Sequence, residues 1–192
     1  KILAKVAVNY HELYGFSLQI TDIDPTYTLG DMERQRQMTI AQLQKEGVWD
    51  MNREAPMPVV VQRVAVVSSA NAAGYQDFRK ELTKSPYRFE VTLFDAFMQG
   101  AAAEESIVTA LCAVAERMDE FDAVVLIRGG GSASDLNCFN AYRLCAHMAQ
   151  FPLPILTGIG HDKDTSVADM VAHTALKTPT AVAGWLVERM TQ

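Results

Sequence analysis

Apolar and polar residues alternate along the first part of the chain, a pattern that is typical of half-buried β-strands. One series runs from Val6 to Tyr10 and a second from Phe16 to Ile20, with Gly15 at the turn between them. The two series predict a β-hairpin. Because two strands alone are only marginally stable, we expect this hairpin to be the last part of a larger β domain.

A polar segment follows the hairpin, and its two ends carry helix signals. Asp31 suits an N-cap position and Gly47 suits the position just after a helix, so the sequence predicts a helix between them. Pro56 and Pro58 then interrupt regular structure, and this proline-rich stretch is the preferred domain boundary.

Beyond this boundary, apolar runs alternate with segments of helical pattern. The runs that predict buried strands are residues 63–69, 88–96, 122–128 and 153–160. Strands separated by helices at this rhythm predict βαβ units, a mainly parallel sheet and helices on both faces, which is an α/β fold. We therefore expect the end of a β domain over residues 1–28, a connector helix and linker over residues 29–58, and an α/β domain over residues 59–192.

A glycine-rich loop follows the third predicted strand, at the edge of the sheet where parallel α/β folds bind ligands. Backbone N–H groups of Gly129, Gly130, Gly131 and Ser132 would approach an anion closely there, and the next helix would add a partial positive charge. The guanidinium of Arg128 could bind a phosphate through two hydrogen bonds. The alternative is an ordinary glycine turn beside a structural ion pair.

The loop after the fourth predicted strand contains His161 and Asp164. A histidine whose tautomer is fixed by a carboxylate is suited to general acid–base catalysis. The same residues could instead bind a hard divalent metal. In a third interpretation, Asp164 or Thr165 only caps the following helix.

The composition narrows the class of protein. The chain has 192 residues and a formal net charge of −6, which argues against extensive wrapping of nucleic acid. No apolar run is long enough to cross a membrane, and no signal-peptide pattern occurs at the start. The three cysteines form no C-x-x-C pair. These features predict a cytoplasmic protein with reduced thiols.

Several sequence motifs occur together in a fixed order along the chain. The chain contains "VVSSANAAGYQDF", "MQGAAAEESIVTAL", "DAVVLIRGGGSASDLNCFN" and "PILTGIGHDKDTSVADMVAHTALKTPTAVAGWL", and "YHELYGFSLQITDIDPTYTLGDM" precedes them. In sequence and spacing they resemble the large subunit of exodeoxyribonuclease VII. The resemblance implies an enzyme that hydrolyses single-stranded DNA from either end to oligonucleotides. It also implies that the hairpin is the last part of an OB-fold, and that helices beyond residue 192 recruit small subunits.

The same resemblance assigns roles to individual residues. By motif, it implies that Asp77, Arg128, His161 and Asp164 are catalytic. The local pattern alone would make Asp77 an ordinary surface carboxylate near a helix start. The resemblance implies no obligatory divalent metal, although Asp77 and Asp164 together could hold Mg²⁺.

The chain departs from the family pattern at a few outer positions. Ser134 and Asn137 replace an acid and a tryptophan, and His173 and Lys177 replace an acid and an arginine. These changes put in doubt any role of the outer positions, while the catalytic residues are retained. Two other functions stay open: a non-catalytic phosphate- or nucleotide-binding module, and a scaffold that is inactive until small subunits assemble.

Overall fold

The computed structural model describes residues 3–12, 15–130, 133–160 and 165–191, with side chains for all of these except residues 23–29 and 133–135. Two compact units are present, Lys1–Met38 and Thr39–Gln192. The predicted domain limits at residues 28 and 58 stay predictions.

The first unit contains the predicted hairpin. Strand β1, Leu3–His11, pairs antiparallel with β2, Gly15–Asp24, and the register shifts between Lys5 and Val6. The apolar side chains of the two strands are largely solvent-exposed in this unit, with Phe16 at 78% exposure.

Helix α1, Pro25–Lys45, begins before the predicted start. Asp31 lies inside the helix and pairs with Arg34 at 2.7 Å, so its prediction as an N-cap is wrong. Proline suits a first helical turn because its N–H would be unsatisfied there in any case. The predicted end is correct, since Gly47 follows the helix with a φ of +72°.

The second unit is built around a five-stranded parallel sheet. Its strands are β3 Arg63–Ser68, β4 Glu90–Asp95, β5 Ala123–Ile127, β6 Ile155–Gly158 and β7 Thr174–Ala175. They lie in the order β4-β3-β5-β6-β7, and every adjacent pair is parallel. The four predicted strands are confirmed. Strand β7 was not predicted because two partly exposed residues give no periodic signal.

Helices cover both faces of this sheet, as predicted. They are α2 Ala73–Thr83, α3 Ala103–Ala115, α4 Tyr142–Ala149, α5 Val167–Val171 and α6 Pro179–Arg189. Side chains of α3, α4 and α5 join one buried cluster, and side chains of α2 and α6 join the other. Successive residues of β3 and β5 alternate between the two clusters, as the two-residue period of a strand requires.

The sequence pattern predicts helices over residues 136–149 and 161–176, and the structure differs from both predictions. The segment 136–140 belongs to a 3₁₀ stretch, Ala133–Asn140, rather than to α4. Only Val167–Val171 is helical in the described part of the segment after β6. None of the described helices combines the length and apolar character needed to cross a membrane.

The strand order creates a crevice at one edge of the sheet. From β3 the chain crosses to β4 on one side and returns to β5 on the other. Helix α2, which follows β3, packs on one face, while α4, the first α-helix after β5, packs on the opposite face. Loops that diverge in this way leave a binding crevice outside the carboxyl ends of the strands.

Candidate active site

A cleft of about 510 Å³ occupies this crevice at the carboxyl edge of the sheet. Four segments of the chain line it: the start of α2, the glycine loop after β5, the end of β6 and the start of α6. The lining residues are Ala73, Gly74, Asp77, Arg128, Gly129, Gly130, Ile159, Gly160, Lys177, Thr178, Pro179 and Thr180. Two of the four residues that the resemblance makes catalytic, Asp77 and Arg128, therefore lie in one cleft.

The backbones of α2 and the glycine loop touch at Gly74 and Gly129. A Cβ atom on Gly74 would lie 2.7 Å from the Gly129 nitrogen and 2.8 Å from its Cα atom. A Cβ on Gly129 would lie 3.1 Å from the Gly74 nitrogen. Glycine is required at Gly74 because any side chain would push these two backbone segments apart.

This contact also places Asp77. Gly74 and Asp77 occupy positions i and i+3 of α2, and such residues are neighbours on a helix surface. The Asp77 side chain is 56% exposed, and its only described ion pair is a loose one with Lys80 at 3.9 Å. Asp77 thus presents a solvent-accessible carboxylate beside the glycine loop.

Arg128 differs from Asp77 in being buried, with 4% of its surface exposed. Its backbone N–H donates to the Gly158 carbonyl at 3.2 Å, which fixes the start of the glycine loop against the end of β6. Burial raises the pKa of the Cys138 thiol to about 11, and the positive charge of Arg128 acts against this increase. Cys138 therefore stays a neutral thiol at physiological pH.

A second close contact holds α6 against the sheet. A Cβ on Gly158 would lie 2.7 Å from Val182 Cγ2 and 3.0 Å from the Thr178 carbonyl oxygen. Thr178 caps α6 by accepting the Ala181 N–H at 3.1 Å, and Pro179 occupies the first turn. The partially positive N-terminus of α6 is thus fixed at the cleft.

Lys177, Thr178 and Thr180 are cleft residues that the sequence analysis did not predict. A signal was available, because a threonine followed by proline is a common helix start. It was missed because nothing local shows that this helix begins beside the glycine loop.

The remaining predicted site residues, Gly131, Ser132, His161 and Asp164, lie outside the described residues. Their roles stay predictions. Gly160, which precedes His161, lines the cleft with a φ of +83°. Within the described ranges, no group of three or more His, Cys, Asp or Glu residues is arranged to hold a metal ion.

Comparisons with known proteins give a consistent result. The sequence model of the family "Exonuclease VII, large subunit" matches residues 48–192. The chain is 38% identical over 191 residues to an exodeoxyribonuclease 7 large subunit from Deinococcus radiodurans, covering 97% of this chain and 46% of that protein. It is 39% identical over 141 residues to the large subunit from a Cyanothece species, covering 73% of this chain and 33% of that protein.

A third relative, from Shewanella loihica, has the same name and is 33% identical over 185 residues, which cover 95% of this chain and 41% of that protein. The chain thus spans less than half the length of each of these curated relatives.

Proposed function

The chain belongs to the exonuclease VII large-subunit family, and on that premise we propose that it hydrolyses phosphodiester bonds of single-stranded DNA from either end to give oligonucleotides. The observation that supports this proposal best is the cleft in which Asp77, Arg128 and the glycine loop meet. The alternative of a non-catalytic phosphate- or nucleotide-binding module is not favoured, because the relatives are named as nucleases.

In the proposed reaction, a water molecule attacks phosphorus and the bond to the leaving oxygen breaks. The N–H groups of Gly129, Gly130, Gly131 and Ser132 bind the non-bridging oxygens, and the N-terminus of α6 lies at the same cleft. Arg128 stabilises the negative charge that increases on these oxygens in the transition state. These N–H groups and the Arg128 guanidinium lower the activation free energy most when they are already in position before the reaction.

Proton transfer is assigned to the loop after β6. His161 accepts the proton of the attacking water or donates one to the leaving oxygen, and Asp164 holds its tautomer. Asp77 orients the attacking water from the α2 side of the cleft. An exposed carboxylate suits this role because water and substrate can reach it.

A second version of the mechanism uses Mg²⁺, held by Asp77 and Asp164. Carboxylate oxygens and water are the ligands that Mg²⁺ prefers in proteins. The exposed carboxylate of Asp77 fits such an ion, which would supply positive charge to the phosphate oxygens.

The proposal extends to partners and compartment. We expect the full-length protein to bind small subunits and to act in the cytoplasm. No disulfide joins the three cysteines, all of which belong to the described part of the chain.

The test is degradation of end-labelled single-stranded DNA in excess EDTA by the full-length chain with its small subunits. Wild type is compared with His161→Ala, and a double-stranded substrate of the same sequence tests strand specificity. Cleavage of single-stranded DNA by wild type alone is expected. If EDTA stops wild type and Mg²⁺ restores it, the version with Asp77 and Asp164 as ligands replaces the metal-free one.

Two further outcomes would contradict parts of the proposal: the first its mechanism and the second its nuclease activity. The first is activity of His161→Ala at the wild-type rate, which removes this residue from the mechanism. The second is a DNA-dependent rise in melting temperature without turnover under any condition, which would indicate a binding module.

A further inference from the structure

A buried carboxyl group, that of Asp169, lies in the first turn of α5, and the residue is 7% exposed. The Thr157 hydroxyl donates to its Oδ1 atom at 2.6 Å, and the Ser166 hydroxyl donates to its Oδ2 atom at 2.9 Å. The Asp169 N–H in turn donates to Ser166 Oγ at 3.1 Å. We call these three residues the Asp169 network.

The network joins two parts of the chain that flank a proposed catalytic segment. Thr157 is on β6, shortly before His161, and Ser166 follows shortly after Asp164. Both hydroxyl-bearing residues are nearly inaccessible to solvent, at 0% and 3% exposure. The chain therefore leaves β6 and enters α5 at two points that a single carboxylate holds together.

A further hydrogen bond extends this arrangement to the glycine loop. The Asn140 side-chain oxygen accepts the Val167 N–H at 3.0 Å. Asn140 ends the 3₁₀ stretch that follows the glycine loop, and Val167 begins α5. Hydrogen bonds thus connect α5 both to β6 and to the segment that follows the glycine loop.

Capping α5 does not by itself account for Asp169. Ser166 already satisfies the Asp169 N–H, which is the usual task of an N-cap side chain. The second carboxylate oxygen reaches across to the strand instead, and burying a carboxylate is costly unless it is fully hydrogen-bonded. The added function of the carboxylate is the link from α5 to β6.

We propose that Asp169 is a positioning residue, which acts through Thr157 and Ser166 to fix the two ends of the chain segment that carries His161 and Asp164. The inference rests on the proposed function, since it assumes that these two residues transfer protons. Two hydroxyl groups donate to one buried carboxyl group here, and one of these hydrogen bonds is as short as 2.6 Å, so the network is suited to fixing the segments it joins.

The test uses a matched pair of substitutions at Thr157 in the full-length chain with its small subunits. Thr157→Val keeps the shape and removes the hydroxyl, whereas Thr157→Ser keeps the hydroxyl. We expect Thr157→Val to lower kcat about tenfold or more with KM within about twofold, and Thr157→Ser to retain most of the wild-type kcat. Asp169→Asn should lower kcat at least as much as Thr157→Val.

A variant that is destabilised away from the site separates positioning from folding. Asp122→Asn disrupts hydrogen bonds at the opposite edge of the sheet, so it should lower the melting temperature without lowering kcat. The proposal is overturned if Thr157→Val keeps the wild-type kcat, or if Thr157→Ser is as impaired as Thr157→Val. Failure of the proposed function would look different, because wild type itself would not cleave DNA.

Discussion

The two edges of the parallel sheet use polar residues in opposite ways. At the amino edge, Asn52 is fully buried and makes hydrogen bonds with both ends of its amide. Its Nδ2 atom donates to the carbonyls of Phe151 and Leu153 at 3.0 and 2.8 Å, and its Oδ1 atom accepts the N–H groups of Ile155 and His173 at 3.1 and 3.0 Å. The donor and acceptor groups of this amide are therefore all satisfied by hydrogen bonds within the protein.

Asp122 gives the same picture at the amino edge. Its Oδ2 atom accepts the N–H groups of Gln62 and Arg63 at 3.0 and 2.8 Å, and its Oδ1 atom accepts the Arg63 guanidinium at 2.6 Å. Burial disfavours its ionised form, but these hydrogen bonds outweigh burial and hold the pKa of Asp122 below its usual range.

The carboxyl edge instead presents polar groups to a cleft. Asp77 and Lys177 are exposed there, and the backbone of Gly129 and Gly130 lines the same opening. The comparison separates two uses of polarity: Asn52 and Asp122 at the amino edge stabilise the fold, and the cleft residues Asp77 and Lys177 at the carboxyl edge are available to a ligand. Substitutions at the two edges should accordingly change different measured quantities.

The largest effect is expected for Arg128→Lys at the carboxyl edge. Lysine keeps the charge but lacks the planar fork that binds two phosphate oxygens at once. We expect kcat for single-stranded DNA to fall by about 10²- to 10³-fold, measured by single-turnover cleavage. A wild-type rate in this variant would mean that Arg128 acts only as a structural cation.

The next effect concerns the contact between α2 and the glycine loop. Gly74→Ala would place a Cβ atom 2.7 Å from the Gly129 nitrogen, and the displaced loop should lower kcat by up to about 10²-fold. Gly184→Ala is the matched control, because a Cβ there meets no heavy atom of the described chain within 4 Å. This control should raise stability by about 0.5–1 kcal/mol with unchanged activity. Equal activity of the two variants would show that the contact is not needed.

At the amino edge, Asp122→Asn should change stability and leave cleavage intact. Loss of hydrogen bonds to an ionised group should lower the free energy of unfolding by about 2 kcal/mol, measured by urea denaturation. Because the pKa of Asp122 is lower in the folded state, its contribution is present at neutral pH and is lost as pH falls below about 4. The difference between wild type and variant should therefore shrink in acid, and a constant difference would contradict this assignment.

The smallest effect concerns His173, also bonded to Asn52 through its N–H. Burial and the charge of Arg189 lower the pKa of His173 in the folded state. The unfolded chain then binds the proton more readily, so stability is lost as pH falls below about 6.5. His173→Gln should melt with a weaker dependence on pH between 7.5 and 5.5 than wild type. A steeper dependence would reverse the sign proposed here.

The sequence predicts the buried strands of the sheet better than it predicts the residues of the cleft. Continuous apolar runs identify β3, β5 and β6 because buried parallel strands have few polar residues. The short strand β7 and the start of α6 escape this approach, since their positions depend on packing against β6. Gly158 illustrates the reason: its importance lies in contacts with Val182 and Thr178, which are distant in sequence.

The sequence likewise predicts some parts of the candidate site and misses others. The position of a ligand site at the carboxyl edge follows from the α/β rhythm, and the glycine loop is visible in the sequence. Asp77 could be selected only through the family resemblance, because its neighbours in sequence are those of an ordinary helix start. Its place in the cleft depends on the backbone contact between Gly74 and Gly129, which no local pattern encodes.

The most direct test of the account is a crossed comparison of Asp77→Asn and Asp122→Asn in the full-length chain with its small subunits. Each variant is measured for cleavage of end-labelled single-stranded DNA and for its melting temperature. We expect Asp77→Asn to lose cleavage with an unchanged melting temperature, because its side chain is exposed, and Asp122→Asn to melt earlier with wild-type cleavage. Wild-type cleavage by Asp77→Asn would contradict the assignment of the carboxyl-edge cleft as the active site.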